Sequence, residues 1–264
     1  MMLRRLVVIA FLFLSFNART AEFTDVYYDP AEDGWGVFLV QSDATQFLAF
    51  FIYGPDGSPT WYVAILADDG TGKFTGSLYA TTGTYFPNLW QGKTTVAAGT
   101  ASFTPSDPYH ATLSYTVNGV GTVTKAVQRQ TLTAYALSGN YSGSGSGGIN
   151  NCANPGQNEP TYRSRFGLTV TQTGDQSATL VFTFVDQAHT GLVCTLAGPL
   201  THIGRLYQLV GQSSCTVNGA PAGQVQAITI DSFHTIGHGI EGHITAIQGC
   251  TASVHFAAVL DTNN

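Results

Sequence analysis

Charge is scarce in this chain. Asp, Glu, Lys and Arg make up 10% of its 264 residues, against about 25% in ordinary soluble domains. Lysine occurs only as Lys73, Lys93 and Lys125, and glutamate only as Glu22, Glu32, Glu159 and Glu241. The residues that favour exposed helices are therefore missing, and thirty glycines would interrupt any helical pattern. Basic clusters are missing as well, which argues against nucleic acid as a partner and against attachment to anionic membranes. After residue 21 no apolar run approaches the ~20 residues of a membrane-spanning helix, so no membrane anchor is expected. Cysteine is absent from the first half.

The usual catalytic signatures are also lacking. There is no Gly-x-Ser-x-Gly, since Ser144 has Ser142 and Ser146 two places away. There is no phosphate-binding glycine motif between a strand and a helix, and no His-Glu-x-x-His. The acidic loops at Asp29, Glu32 and Asp33 and at Asp68 and Asp69 do not follow EF-hand spacing. No carboxylate pair can be placed across a cleft, and no nucleophile has a readable base.

What is present begins with a leader. Arg4 and Arg5 precede an apolar stretch over residues 6–16, with small residues at Ala18 and Ala21. This predicts a signal peptide over 1–21 and export to a periplasm or the extracellular space. Losing Arg4, Arg5 and Arg19 would leave seven basic and sixteen acidic residues, a net charge of −9. Cys152, Cys194, Cys215 and Cys250 are even in number, and in an oxidising compartment they predict two disulfides. The expected pairing is Cys152–Cys194 and Cys215–Cys250.

Val, Thr, Tyr and Phe dominate the rest, which predicts an all-β chain. Strands are expected at 36–41, 46–53, 60–66, 73–80, 110–117 and 120–129. In the second half they are expected at 137–142, 166–172, 178–185, 191–197, 206–211, 224–230 and 251–260. Gly54-Pro55-Asp56-Gly57 and Asn118-Gly119 mark turns. The glycine- and serine-rich run up to Asn151 is expected to continue as a mobile loop after residue 142. Two small antiparallel β domains follow, 22–134 and 135–264, each a barrel or a sandwich, the second carrying the disulfides. The strand from Phe47 to Tyr53 is apolar on both faces, which predicts a cover over its second face. The expected cover is the other domain, with a ligand or a second copy of the chain as alternatives.

Two groups of side chains are candidate sites. Trp35, Tyr53, Trp61, Tyr62 and Trp90 belong to a first half crowded with aromatics, and such rings suit sugars and other amphipathic ligands. Of Trp61 and Tyr62, one must point inward and the other outward. His234, His238, Glu241 and His243 lie close in sequence and include the residue types that hold zinc. On a single strand, His234 and His238 would share one face and His243 would take the other unless an intervening glycine bends or bulges the strand; the alternative is a hairpin with three exposed or hydrogen-bonded histidines.

Three stretches of the first half carry a resemblance: Gly34-Trp35-Gly36-Val37, the segment from Phe51 through Gly57-Ser58-Pro59-Thr60-Trp61-Tyr62, and Phe74-Thr75-Gly76-Ser77-Leu78-Tyr79. Leu137-Ser138-Gly139-Asn140-Tyr141-Ser142-Gly143, Gly239-Ile240-Glu241-Gly242 and Gly249-Cys250 extend it into the second half. Here the chain resembles a family of exported proteobacterial proteins with an N-terminal β domain and a cysteine-bearing C-terminal β domain. The resemblance implies a bacterial, exported origin and no catalytic residue. His243 stands where the family pattern has Arg, which speaks against a family-wide histidine metal site.

The leading expectation is an exported, non-catalytic protein that binds a cell-envelope or extracellular ligand, such as a glycan, through aromatic surfaces. No cofactor is expected in that case. The alternatives are a zinc-dependent hydrolase or metal-binding protein using the His234, His238 and Glu241 segment, and an assembly subunit that forms homo-oligomers through the Phe47 to Tyr53 strand.

Overall fold

The computed structural model describes residues 22–262. The expected leader, residues 1–21, lies outside the described residues. The chain forms two closed eight-stranded barrels. The first contains β1 (Asp25–Tyr28), β2 (Gly36–Ser42), β3 (Thr45–Tyr53), β4 (Pro59–Asp68), β5 (Phe74–Gly83), β6 (Lys93–Pro105), β7 (His110–Val117) and β8 (Gly121–Arg129). Every strand pairs antiparallel with its successor, and β1 closes on β8. The second contains β9 (Gly139–Asn150), β10 (Glu159–Thr173), β11 (Ser177–Phe184), β12 (Leu192–Ile203), β13 (Leu206–Val217), β14 (Ala220–Ile236), β15 (Gly239–Ala246) and β16 (Thr251–Leu260). It closes where β9 pairs with β16.

Alternation along the strands sends one set of side chains inward. Tyr27, Leu39, Leu48, Phe50, Leu66, Phe74, Phe103 and Leu113 fill the first barrel. Phe166, Leu180, Phe182, Leu209, Ile230, Phe233 and Phe256 fill the second. Hydrophobic side chains cluster in both interiors. The barrels echo one another at their starts. The Tyr27 hydroxyl donates to the Phe23 carbonyl, and the Tyr141 hydroxyl donates to the Leu137 carbonyl, four residues upstream in both cases.

Several expectations are corrected. The glycine-rich run is no mobile loop. It is β9, hydrogen-bonded on both sides to β10 and β16. Its glycines serve close packing: a Cβ on Gly147 would sit 2.0 Å from the Ser253 carbonyl oxygen. Strands β1, β6 and β15 lay outside the expected set. The disulfides are Cys152–Cys250 and Cys194–Cys215. Cys194 and Cys215 face each other directly across β12 and β13, while Cys152 and Cys250 join the ends of β9 and β16. The outer face of the Phe47 to Tyr53 strand is not covered by the other barrel, since Phe47, Phe51 and Tyr53 are exposed.

The barrels meet through polar contacts between loops and strand ends. Arg129 is fully buried beside Asp25 (3.0 Å) and donates to the carbonyls of Pro108, Thr24 and Glu22. Asp25 also accepts from the backbone N–H of Arg205 in the second barrel. Tyr109, in the loop before β7, inserts its hydroxyl between β13 and β14. It donates to the Tyr207 carbonyl (3.1 Å) and accepts from the Ser232 N–H (3.0 Å).

Candidate functional site

The outer face of β2, β3 and β4 is apolar. Phe38, Val40, Phe47, Phe51, Trp61 and Ile65 all point outward there and are exposed. Phe51 lies directly across from Trp61, and its ring centroid is 5.4 Å from that of Phe38. Three aromatic rings therefore run across three adjacent strands. Gly36 makes this arrangement possible. It is the cross-strand partner of Phe51, and a Cβ there would meet the Phe51 ring at 2.6 Å. The Tyr53 hydroxyl donates to the Gly34 carbonyl (2.9 Å), which ties the face to the acidic loop before Trp35. The opposite side of the same barrel is polar: Ser114 bonds Thr124 (3.0 Å) and Thr116 bonds Thr122 (2.7 Å) across β7 and β8. The apolar face is thus a one-sided patch of the kind that marks binding surfaces.

The five aromatic candidates separate. Tyr53 and Trp61 belong to the outer face. Tyr62 points inward and packs on the core, as does the half-buried Trp35. Trp35 also donates from Nε1 to Glu32 (3.1 Å), whose other carboxylate oxygen takes Lys125, so the pair caps this end of the barrel. The bond to Glu32 holds the Lys125 ammonium pKa above its ordinary value, and desolvation raises that of the neighbouring Tyr115 phenol. Trp90 stands apart in the 84–92 loop with the exposed Tyr85, Phe86 and Leu89. Sequence reading missed Phe38, Val40 and Ile65, although period-2 alternation from the buried Leu39 and Leu66 places them outside.

The histidine segment forms a hairpin of exposed or hydrogen-bonded histidines rather than a single strand. His234 ends up on β14, His238 in the following turn, and Glu241 and His243 on β15. His234 and His238 do not share a strand face. Instead Ser232, at φ 51°, forms a bulge, after which Phe233 turns into the core and His234 faces out. His234 Nε2 lies 3.5 Å from Glu241, and His234 Nδ1 lies 2.8 Å from the Ser232 carbonyl oxygen. His243 lies on the same outer face, with Nδ1 3.3 Å from Asp231 and Nε2 2.9 Å from Ser253 Oγ. Its ring stacks on His255 at 4.1 Å. Partial desolvation, then the neighbouring His243, depress the His255 pKa. Among the described residues no three His, Cys, Asp or Glu side chains converge as metal ligands.

The outer face continues in register across the seam, because His255 opposes Ser146 and Ser146 opposes Arg163. The small side chains of β9 leave an open depression of about 500 Å³ lined by Ser144, Ser146, Arg163, Arg165 and Asp186. Asp186 also accepts from the Arg165 N–H and from His189.

No protein-family model and no curated protein matches the chain. Among solved structures, a Bacteroides fragilis protein provisionally described as an outer membrane protein aligns over 91% of this chain and 99% of its own. The two share 14% identity with a TM-score of 0.30. Among the described residues no helix is long and apolar enough to cross a membrane.

Proposed function

We propose that this is an exported bacterial binding protein whose first barrel holds a carbohydrate of the cell envelope or its surroundings. The observation that carries this reading is the row of exposed rings, Phe38, Phe51 and Trp61, on a barrel whose interior is already filled by its own core. Hydrophobic side chains occupy the interior, so the reading places the ligand on the outside, where aromatic faces suit the apolar faces of sugar rings. Two disulfides with no free cysteine among the described residues fit an oxidising compartment.

The test is tryptophan fluorescence of the mature protein across a broad panel of glycans, repeated with Trp61→Ala. A spectral shift with saturable binding, lost in Trp61→Ala, is expected. No shift with any glycan would overturn the reading. A concentration-dependent dimer that Phe51→Asp dissociates would assign the same face to self-assembly instead.

A further inference from the structure

We infer that the outer face of the second barrel carries a serine acyl-hydrolase site, with Ser253 as nucleophile, His243 as base and Asp231 as the positioning residue. The function proposed for the first barrel does not depend on it. The geometry is a relay across three adjacent strands. Ser253 Oγ on β16 lies 2.9 Å from His243 Nε2 on β15, and His243 Nδ1 lies 3.3 Å from Asp231 Oδ1 on β14. Such a triad is recognised by geometry and roles rather than by sequence order. An ionised carboxylate only accepts hydrogen bonds, so the proposal takes the tautomer with the His243 hydrogen on Nδ1, beside Asp231. Nε2 is then left as an acceptor facing the Ser253 hydroxyl.

The surroundings hold the ring in this orientation. His243 and Asp231 are about one-fifth exposed, at 22% and 23%, while Ser253 is open to solvent. His255 stacks on the His243 ring and fixes its plane. Asp231 precedes the bulge at Ser232, whose N–H is held by Tyr109 of the first barrel. Beside the nucleophile, Ser253 opposes Gly148, and the Asn150 side-chain amide lies 3.0 Å from where a Gly148 Cβ would be. Cross-strand Cβ positions are about 4.5–5.5 Å apart. Asn150, two residues further along β9 and opposite Thr251, is the oxyanion donor that the proposal assigns.

The step balances with water as the only co-reactant. Ser253 Oγ gives its proton to His243 Nε2 and bonds to the ester carbonyl carbon. The tetrahedral oxyanion collapses, the bond to the alcohol oxygen breaks, and that oxygen takes the proton from His243. Water then attacks the acyl-serine, loses a proton to His243 and releases the carboxylic acid, while the returning proton restores Ser253. The substrate class follows from the same outer row. Beyond His255 and Ser146 stands Arg163, over the open depression that Arg165 also lines. An ester carrying a carboxylate or phosphate away from the reacting carbon fits that arrangement.

The test uses the full mature protein. A fluorophosphonate probe should label Ser253, as read by peptide mass spectrometry, and labelling should be lost in the urea-unfolded protein. Hydrolysis of 4-nitrophenyl acetate should vanish in Ser253→Ala and fall by about 100-fold or more in His243→Gln. Asp231→Asn should lower kcat and displace the pH profile of kcat/KM, which a purely structural role would not do. With 4-nitrophenyl hydrogen succinate, Arg163→Gln should raise KM while leaving KM for the acetate unchanged. An adventitious reactive surface serine would label equally in His243→Gln. That result, or no labelling of the folded wild type, would overturn the site. An unchanged KM in Arg163→Gln would overturn the anionic substrate class.

Discussion

The Tyr109 hydroxyl hydrogen is bonded to the Tyr207 carbonyl, 3.1 Å away, across the junction of the two barrels. The same oxygen accepts the Ser232 N–H, so a side chain of the first barrel completes the ladder of the second where β13 and β14 lose register. Replacing Tyr109 with Phe removes the partner of the buried Tyr207 carbonyl and of the half-buried Ser232 N–H, which should cost about 1–3 kcal/mol. Chemical denaturation should register the loss. Hydrogen exchange at Ser232 should accelerate while exchange at Leu113, deep in the first barrel, stays slow.

The buried ion pair should be far more costly to break than any surface pair. Arg129 has no exposed side-chain area and its partner Asp25 very little. Arg129→Ala would strand the Asp25 carboxylate and is expected to cost about 3–5 kcal/mol in urea unfolding. Lys125→Ala, at the solvent-facing cap with Glu32, should move the unfolding midpoint far less.

The two disulfides close loops of different size, 98 and 21 residues of separation. Chain-entropy reasoning gives about 4.7 kcal/mol for the longer and about 3.3 kcal/mol for the shorter. The Cys152→Ala, Cys250→Ala double variant should therefore melt lower than the Cys194→Ala, Cys215→Ala variant. Non-reducing peptide mapping should recover these two pairs and no others.

Trp61 and Phe50 sit on opposite faces of the first barrel's wall, outside and inside. Trp61→Ala should change stability by no more than about 0.5 kcal/mol, while Phe50→Ala should cost about 3–5 kcal/mol through the cavity it leaves. Thermal melts of the two variants check this, and they also show that a Trp61 binding defect is not a folding defect.

The depressed pKa of His255 implies an acid-side loss of stability. The folded state binds its proton less readily than the unfolded state. The resulting penalty is absent above the ordinary histidine pKa of about 6.5, grows as pH falls through the folded value, and is constant below it. His243, Asp231 and Glu241 are the ionisable groups that act on it. A melting-temperature series from neutral to mildly acidic pH should show a shallower fall in His255→Gln than in the parent.

Class and partition were legible in the sequence because they rest on local chemistry. Alternation in the 110–117 segment, and the turn at Asn118-Gly119, required no knowledge of distant partners. What was not legible depended on register. The cysteine pairing follows from Cys194 and Cys215 being opposed on neighbouring strands, and no spacing rule dictates that. Glycine in β9 reads as a loop until β16 is placed against it. Asp231, His243 and Ser253 lie twelve and ten residues apart, and only pairing across β14, β15 and β16 lets them meet. Ser232 alone, by adopting positive φ, put His234 outside and Phe233 inside. Trp61 and Tyr62 were separable in principle but not in direction, since alternation does not say which face is the core.

Strand β9 is the first of its barrel to be synthesised and it pairs with the last, β16. The first ring can close as soon as β8 exists, well before the second ring is complete. During that interval the Tyr109 hydroxyl has no docking partner, because β13 and β14 come later in the chain. Assembly therefore has a built-in chronology: the first cylinder can close with its connector exposed, that connector finds its partners once β13 and β14 exist, and the second cylinder is joined at its seam only when β16 arrives.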